Sequence, residues 1–264
     1  MTSPPPAPDT TDWAAERYQT LAARLQPISE ALCATADLRA GERVLDVACA
    51  TGNAALAAAR RGCAVTAVDL DPGMLAVARH RSAVEHLPIE VYAGDAQRLP
   101  FPDRSFDAVL STYGAMFAPD TGATARELAR VCRPGGRIAL ANWSPGGVIY
   151  EVFAALHRHL PGSPDLTRAV DAWGTTEKLR ALFPAARVTT AARHLDLRST
   201  SCEAWSETFL RSFGPAAPDL ADASGTATAL RAGLLRAFGD HTSPDGPGVR
   251  IRHAYLEAVI TPLP

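Results

Sequence analysis

The sequence has little of what several common kinds of site and partner require. Its five cysteines, at positions 33, 49, 63, 132 and 202, form no Cys-x-x-Cys pair, so neither a zinc site nor a disulfide framework is indicated. No apolar run approaches the roughly 20 residues of a membrane-spanning helix. The formal net charge is only −2, and lysine and arginine do not cluster with aromatic residues. These absences argue against nucleic-acid and membrane partners and favour a cytoplasmic protein.

Length and composition are those of an ordinary globular chain. The 264 residues with 47% hydrophobic content are enough for one large domain with a sizeable core. Residues 1–12 are polar and rich in proline, without the basic-then-apolar pattern of a secretion signal. We therefore expect a disordered tail there.

One stretch, residues 42–56, has the pattern of a nucleotide-binding strand–turn–helix unit. Residues 44–47 are apolar except for Asp46, the next five residues are all small, and an Ala-rich helical pattern begins at Asn53. Small side chains let backbone amides approach a ligand closely, and the helix directs its positive end to the same place. Asp69 ends the next apolar run, where such folds place the carboxylate that binds a ribose diol.

Strand and helix patterns alternate along the first half of the chain. Strands are predicted at 44–47, 64–68, 89–93, 106–111 and 137–141, and helices at 13–25, 28–36, 53–61, 74–83 and 121–132, with Pro27 interrupting the first two. Because the strands are almost continuously apolar, we expect a parallel sheet covered on both faces. After Asn142, helices are predicted at 148–160, 175–183, 202–213 and 220–238, a loop at 161–171, and strands at 187–197 and 249–259.

Five motifs occur in an order and spacing that together are specific. They are residues 44–53, residues 68–75, Gly-Asp-Ala at 94–96, Phe-Asp-Ala-Val at 106–109 and Arg-Pro-Gly-Gly-Arg at 133–137. The chain resembles the class I S-adenosylmethionine (SAM)-dependent methyltransferases in these motifs, and within them the ubiquinone-biosynthesis-like, small-molecule branch. The resemblance implies an α/β, Rossmann-like, doubly wound and mainly parallel sheet of seven strands. Its last strand would be antiparallel, with 187–197 and 254–261 as the closing hairpin.

The resemblance also implies how the chain is divided. Residues 13–142 would be the SAM-binding core with N-terminal lid helices. Residues 143–264 would supply helical insertions that roof the substrate site, together with the C-terminal strands that complete the sheet.

The implied cofactor is SAM, with S-adenosylhomocysteine as the product. Asp46 would accept from the amino group and the sulfonium, although capping of the next turn is the alternative for this residue. Asp69 would bind both ribose hydroxyls. Leu70 and Met74 would form the adenine slot, with core packing as the alternative for Met74. The other expected contacts are Tyr18, Ala48, Ala50, Gly52, Asn53, Asp95, Ala96, Gln97 and Ser111. Tyr18 would reach the amino-acid end of SAM, or else pack its helix on the sheet.

Ala48 and Ala50 depart from the family pattern, which usually has glycine at position 50 and often at 48. Because a Cβ disfavours positive φ, we expect Ala50 at negative φ with the cofactor slightly displaced. A pocket that no longer binds SAM is the alternative.

The acceptor is expected beyond the fourth and fifth strands, where apolar and aromatic residues are concentrated: Tyr113, Met116, Phe117, Trp143 and Tyr150. They suggest an apolar or aromatic acceptor, with a satellite core as the alternative. An oxygen or carbon acceptor must lose a proton, usually to histidine. The core motifs contain no histidine, and His157 or His194 is the expected base.

Two motifs that would indicate other chemistries are absent. The fourth strand is not followed by the Asn/Asp-Pro-Pro-aromatic turn used to methylate amide or exocyclic nitrogens. It is not followed by an Asp-Asp pair either, so Mg²⁺-assisted chemistry and a metal site are not expected.

The sequence therefore predicts an enzyme that uses SAM to methylate an oxygen or carbon of a small, largely apolar metabolite, with secondary metabolism as the setting. The main alternative is a SAM-fold enzyme that has lost methyl transfer and catalyses a cyclisation or elimination. An NAD(P)-dependent dehydrogenase and a non-catalytic binding module are further alternatives. Both a monomer and a homodimer remain open.

Overall fold

The structure, a computed structural model, describes residues 15–160, 162–213 and 225–263. The tail predicted at 1–12, Trp13 and the start of the helix predicted at 220–238 lie outside the described residues. The helices are α1 Ala15–Thr35, α2 Asn53–Ala59, α3 Pro72–Val84, α4 Thr121–Val131, α5 Val148–His159, α6 Thr167–Trp173, α7 Thr176–Leu182, α8 Cys202–Ser212 and α9 Gly225–Gly239. The strands are β1 Arg43–Val47, β2 Ala64–Asp69, β3 Ile89–Ala93, β4 Phe106–Thr112, β5 Cys132–Trp143, β6 Ala186–Ser199, β7 Thr242–Asp245 and β8 Gly248–Pro262.

The strands form one sheet in the order β3-β2-β1-β4-β5-β8-β6, with β7 paired to β8. Strands β1 to β5 pair with one another in parallel, whereas β8 is antiparallel to both β5 and β6. This arrangement confirms the α/β fold with a mainly parallel sheet and an antiparallel last strand. The chain order reverses between β1 and β4, and ligands bind at such a reversal in open α/β sheets.

Local sequence explains where several helices begin. The Asp71 side chain accepts hydrogen bonds from the amides of Gly73 and Met74, and Pro72 occupies the first turn of α3. Asp120 caps α4 and Ser201 caps α8 in the same manner. These caps fix the ends of helices that cover the sheet.

The break predicted at Pro27 is wrong, because α1 runs through this residue without interruption. Proline removes one backbone hydrogen bond from a helix. The side chains of Leu25, Ile28 and Leu32 are buried in the core, so packing on both sides of Pro27 stabilises the continuous helix.

The second half of the chain differs from prediction in two places. Part of the loop predicted at 161–171 is helix α6, whose Val170 and Trp173 are buried. The sheet also has an eighth strand, β7, where seven were expected. It pairs with the first residues of β8, before the stretch of β8 that pairs with β5.

Candidate functional site

The loop between β1 and α2 has a left-handed backbone at three positions. The φ angles are +52° at Ala48, +47° at Ala50 and +84° at Gly52. The prediction of negative φ at Ala50 is therefore wrong. Hydrogen bonds hold this conformation: the Ala50 amide donates to Asp69 Oδ2 at 2.8 Å, and the Cys49 amide donates to the carbonyl of Val68 at 3.0 Å. Tertiary contacts thus outweigh the local preference of alanine for negative φ.

The loop is also held from the side of β4. A Cβ at Gly114 would lie 2.2 Å from the carbonyl oxygen of Ala48 and 2.6 Å from its Cβ. Only glycine allows the backbone after β4 to approach the loop this closely.

Asp46, near the end of β1, is a buried carboxylate with 1% of its surface exposed. Its Oδ2 accepts a hydrogen bond from the amide of Ala55 at 2.8 Å, so it caps α2, as the alternative for this residue had it. Burial raises the pKa of Asp46 to about 7, and the nearby charge of Asp69 acts in the same direction. Both burial and a like charge disfavour the ionised form of Asp46. A cation bound beside this carboxylate would compensate for both effects, so the carboxylate would attract it strongly.

The carboxylate of Asp69 accepts hydrogen bonds from two backbone segments, the loop after β1 and the start of α3. Besides the bond from Ala50, its Oδ1 accepts a hydrogen bond from the amide of Asp71 at 2.9 Å. Burial raises the pKa of Asp69 as well. Each carboxylate oxygen can accept more than one hydrogen bond, so these contacts leave capacity for a diol.

A first cavity opens above the loop at the carboxyl ends of β1 and β4. The structure brings together here five of the expected cofactor contacts: Tyr18, Asp46, Ala48, Ala50 and Asn53. Ser29 and Thr112 add hydroxyl groups to the same lining. The cavity therefore combines a buried carboxylate, small residues and hydroxyls within one enclosure.

The remaining expected cofactor contacts lie outside the lining of this cavity. Leu70 is 54% exposed after β2, whereas Met74 and Ala96 are buried. Asp95 and Gln97 hydrogen-bond each other after β3, and Gln97 also accepts from the amide of Asp120. The Ser111 hydroxyl donates to the carbonyl of Val47 and accepts from the amide of Ala115. Gly52 provides the left-handed residue that starts α2.

A second cavity adjoins the first and shares Tyr18, Leu25 and Tyr113 with it. Three of the expected substrate contacts line it: Tyr113, Phe117 and Trp143. Met116 is instead buried in the core, and the Tyr150 hydroxyl hydrogen-bonds Asp171 at 3.4 Å. The other walls come from α1, α5 and α8, through side chains such as Leu21, Ile149, Phe153 and Phe209.

Tyr113 lines both cavities, as do Tyr18 and Leu25. Its φ is +63°, and its ring stacks on Trp143 with centroids 3.7 Å apart and planes within 4°. Its buried hydroxyl has no hydrogen-bond partner among the described residues. Strained backbone held by packing is typical of functional sites.

The histidines are placed differently from what the sequence suggested. His157 is exposed on α5, with Nδ1 3.2 Å from the carbonyl oxygen of Ser163, and His194 is exposed on the edge strand β6. The residue that sequence reasoning missed is His253 of β8, which lines the second cavity. It shares a strand face with the buried Ile251 and Tyr255. This period-two pattern was the one available signal.

His253 is 1% exposed, and neither ring nitrogen has a hydrogen-bond partner among the described residues. Burial, with a smaller contribution from the neighbouring His241, lowers its pKa to about 3. The imidazole is therefore neutral at physiological pH and can accept a proton or a hydrogen bond.

The described parts of the chain contain no group of three or more histidine, cysteine, aspartate or glutamate side chains that could hold a metal ion. The helices described here are all too short or too polar to span a membrane.

Comparisons with known proteins agree with this geometry. Residues 45–140 match a family model described as a methyltransferase domain. The uncharacterized protein Rv1403c of Mycobacterium tuberculosis is 41% identical over 186 residues, which cover 69% of this chain and 68% of that protein. The demethylmenaquinone methyltransferase of Corynebacterium efficiens is 39% identical over 122 residues, covering 46% and 50% of the two chains. The crystal structure of the YcgJ protein from Bacillus has a TM-score of 0.63 at 22% identity, covers 89% of this chain and 98% of that one, and supports the fold.

Proposed function

The chain belongs to the class I SAM-dependent methyltransferases, and from this membership we propose that it methylates an oxygen or carbon of a small, largely apolar metabolite. SAM is the cofactor of this enzyme. One observation carries the proposal: a cavity with a buried carboxylate adjoins a cavity with aromatic walls, and Tyr113 borders both. A polar cofactor and an apolar acceptor would meet at that border.

The residues of the first cavity fit SAM. Its amino group and sulfonium are cationic, and Asp46 offers a carboxylate whose pKa is raised to about 7 by burial. Binding a cation would offset that unfavourable environment. The small side chains of Ala48 and Ala50 allow close approach to the loop amides, and Asp69 lies next to them to accept from the ribose. When bound, SAM supplies a methyl group attached to a positively charged sulfur.

The contribution of the chain would be to position two reactants and exclude water. Reactions of this kind gain mainly from orientation in a closed site, because the methyl group is already activated. The aromatic side chains that surround the second cavity, including Phe117 and Phe153, would hold the acceptor by burying its apolar surface. The adenine would lie outside the first cavity, between Leu70 and Met74, which come after β2, and Asp95, Ala96 and Gln97, which come after β3. Ser111 would support the floor from β4.

We include in this proposal the division of the chain into a core at 13–142 and a substrate cap at 143–264. Helices α5, α8 and α9 contribute the aromatic rings of Phe153, Phe209 and Phe238 to one cluster. The proposed setting is cytoplasmic secondary metabolism, in a monomer or a homodimer. The small-molecule acceptor agrees with the name of the Corynebacterium relative, a demethylmenaquinone methyltransferase.

The test has two parts. Titration calorimetry on the purified chain should give micromolar or tighter binding of SAM. Incubation with methyl-deuterated SAM and a metabolite extract should give S-adenosylhomocysteine together with a small molecule that carries the label, detected by mass spectrometry. SAM that is retained unchanged while a metabolite is converted would favour cyclisation or elimination. Failure to bind SAM would contradict the proposal.

A further inference from the structure

We propose that Arg81 is a positioning residue that joins the loop between β1 and α2 to helix α1, and so keeps the two cavities aligned for methyl transfer. The inference rests on the proposed function, because it takes the first cavity as the place of SAM and the second as the place of the acceptor. It goes beyond that function by giving a role to a residue that is not part of either cavity lining.

The guanidinium of Arg81 donates hydrogen bonds to three segments of the chain. Its Nη1 donates to the Thr51 carbonyl oxygen at 2.7 Å, to the Thr51 hydroxyl at 3.3 Å and to Asn53 Oδ1 at 2.8 Å. Its Nη2 donates to Gln26 Oε1 at 3.3 Å. One side chain on α3 therefore holds the end of the loop, the start of α2 and the middle of α1.

Asn53 extends this connection to a second point on α1. Its side-chain nitrogen donates to the carbonyl of Ala22 at 2.8 Å, while its side-chain oxygen accepts from Arg81. The side-chain nitrogen of Gln26 donates to the Asn53 carbonyl at 3.3 Å. Because both ends of the Asn53 amide have partners within the protein, its orientation is fixed, and α1 is tied to the first residue of α2.

The backbone of α3 also approaches the loop closely. A Cβ at Gly52, where φ is +84°, would lie 3.2 Å from the Cβ of Ala78. Residues three positions apart share one face of a helix, so Arg81 lies on the same face of α3 as Ala78. The close approach at Gly52 thus brings the guanidinium within hydrogen-bond distance of Thr51.

The partners of Arg81 form or adjoin the walls of both cavities. Thr51 and Asn53 line the first cavity. On α1, Leu21 and Leu25 line the second cavity, next to the two residues that this network binds. A displacement of α1 from the loop would therefore move a wall of the acceptor site relative to the place of SAM. A misplacement of about 1 Å can slow a reaction about 100-fold.

Arginine is suited to this position by its shape and its charge. The planar guanidinium holds several acceptors at fixed angles, whereas the ammonium of lysine rotates on a flexible stem. The side chain of Arg81 is half-buried, and burial lowers its pKa. It remains charged at physiological pH. Its four hydrogen bonds in the described part of the chain all go to neutral oxygen atoms, and a charged donor makes such bonds stronger.

The first test is titration calorimetry with SAM on variants that urea unfolding shows to be folded. Arg81→Ala should bind SAM about tenfold more weakly, because it loses charge-assisted bonds to the loop. Arg81→Lys keeps the charge without the fork and should recover only part of this loss. Arg60→Ala is the matched control and should bind within twofold of the wild type. In the described structure, Arg60 joins Glu30 of α1 to Glu85 after α3 without a hydrogen bond to the loop.

The second test separates positioning from a purely structural role, by hydrogen exchange with and without saturating SAM. In the wild type and in Arg60→Ala, SAM should slow exchange both in the loop at 48–52 and in α1 at 19–26. In Arg81→Ala saturated with SAM, the loop should stay protected, while the protection that SAM gives to 19–26 should fall to less than half. A general loss of stability would instead raise exchange in both segments alike.

A double variant tests whether Arg81 acts through Asn53. The loss of SAM binding free energy in Asn53→Ala/Arg81→Ala should be smaller than the sum of the two single losses, since the second change removes a bond that the first has already broken.

Additive losses, wild-type affinity in Arg81→Ala, or full SAM-induced protection of 19–26 in that variant would overturn the proposal. If Arg81→Ala does not fold, Arg81→Lys decides, and wild-type affinity together with wild-type protection of 19–26 in Arg81→Lys would overturn it. A wild type that does not bind SAM would contradict the proposed function instead.

Discussion

The carboxylate of Asp69 accepts a hydrogen bond from the backbone amide of Ala50, with Oδ2 and N 2.8 Å apart. Its other oxygen, Oδ1, accepts from the amide of Asp71 at 2.9 Å. One side chain at the end of β2 therefore connects the loop after β1 with the start of α3. The residue proposed to bind the ribose is also part of the framework that shapes the loop.

Asp69→Ala should weaken SAM binding by at least tenfold, because it removes both the ribose acceptor and the bond that holds Ala50. Asp69→Asn keeps one acceptor oxygen and should lose less. Calorimetry measures both, with Glu90→Gln as a control, since Glu90 is an exposed carboxylate on the neighbouring β3. If Asp69→Ala binds SAM as tightly as the wild type, the assignment of the ribose to Asp69 is wrong.

Asp46→Asn should stabilise the protein at alkaline pH. Burial raises the folded pKa to about 7 from the ordinary 3.8 of a free aspartate, so the stability contributed by the protonated carboxyl is fully present below pH 3.8 and is lost as the pH rises through 7. At 1.36 kcal/mol per pKa unit, the loss amounts to as much as about 4 kcal/mol. Asparagine still accepts from the Ala55 amide and carries no charge. Urea unfolding at pH 5 and pH 8 should show a clear gain for Asp46→Asn at pH 8 and a smaller one at pH 5; equal gains would contradict the raised pKa.

The same charge should make SAM binding depend on pH. In the wild type, affinity should increase between pH 5.5 and pH 7.5, because the cation is attracted only to the ionised form of Asp46. Asp46→Asn should bind at least tenfold more weakly at pH 7.5 and lose most of this dependence. Calorimetry at four pH values tests this, and a dependence that persists unchanged in Asp46→Asn would assign it to another group.

Gly114→Ala should destabilise the fold by about 2 kcal/mol and weaken SAM binding, because the new methyl group would overlap the carbonyl of Ala48. Thermal or urea unfolding measures the first effect. Gly239→Ala is the matched control, since a Cβ at Gly239 meets no atom within 4 Å, and its effect should be within about 0.5 kcal/mol. Similar stabilities for the two variants would mean that the loop tolerates displacement.

Ala50→Gly should stabilise the protein by up to about 1 kcal/mol, because glycine adopts the observed φ of +47° without the strain that a Cβ brings. The greater freedom of glycine in the unfolded chain opposes this gain and limits it. Ala232→Gly, at an exposed position inside α9, should instead cost about 1 kcal/mol. Urea unfolding of both variants should therefore give changes of opposite sign, and a loss in Ala50→Gly would contradict the strain at that position.

The sequence allowed the first half of the fold to be predicted closely, because its strands are short apolar runs with clear turn residues between them. The loop conformation could not be predicted, since its backbone is held by contacts of Gly114 with Ala48 and of Asp69 with Ala50, and both partners are distant in the chain. Strand β7 carries Ser243 and Pro244, which do not favour a strand, and it exists because β8 offers it an edge.

The acceptor site illustrates the same limit. Tyr113, Phe117 and Trp143 come shortly after the strands predicted from the sequence, so their place beside the second cavity could be predicted. His253 gave no comparable signal, because a single histidine in an alternating strand is most often structural. Its role as a cavity wall depends on β8 lying beside β5, and on α8 and α9 closing over it.

The central place of β8 in the sheet has a consequence for biosynthesis. Strand β6 is made earlier, but in the described part of the chain it pairs only with β8. During translation, the segment up to β5 can assemble first, leaving the edge of β5 open until β8 emerges from the ribosome. An open edge is a template for incorrect pairing between nascent chains. Slow synthesis between β6 and β8 should therefore favour aggregation, and a chaperone that shields β5 during this interval should raise the yield of folded enzyme.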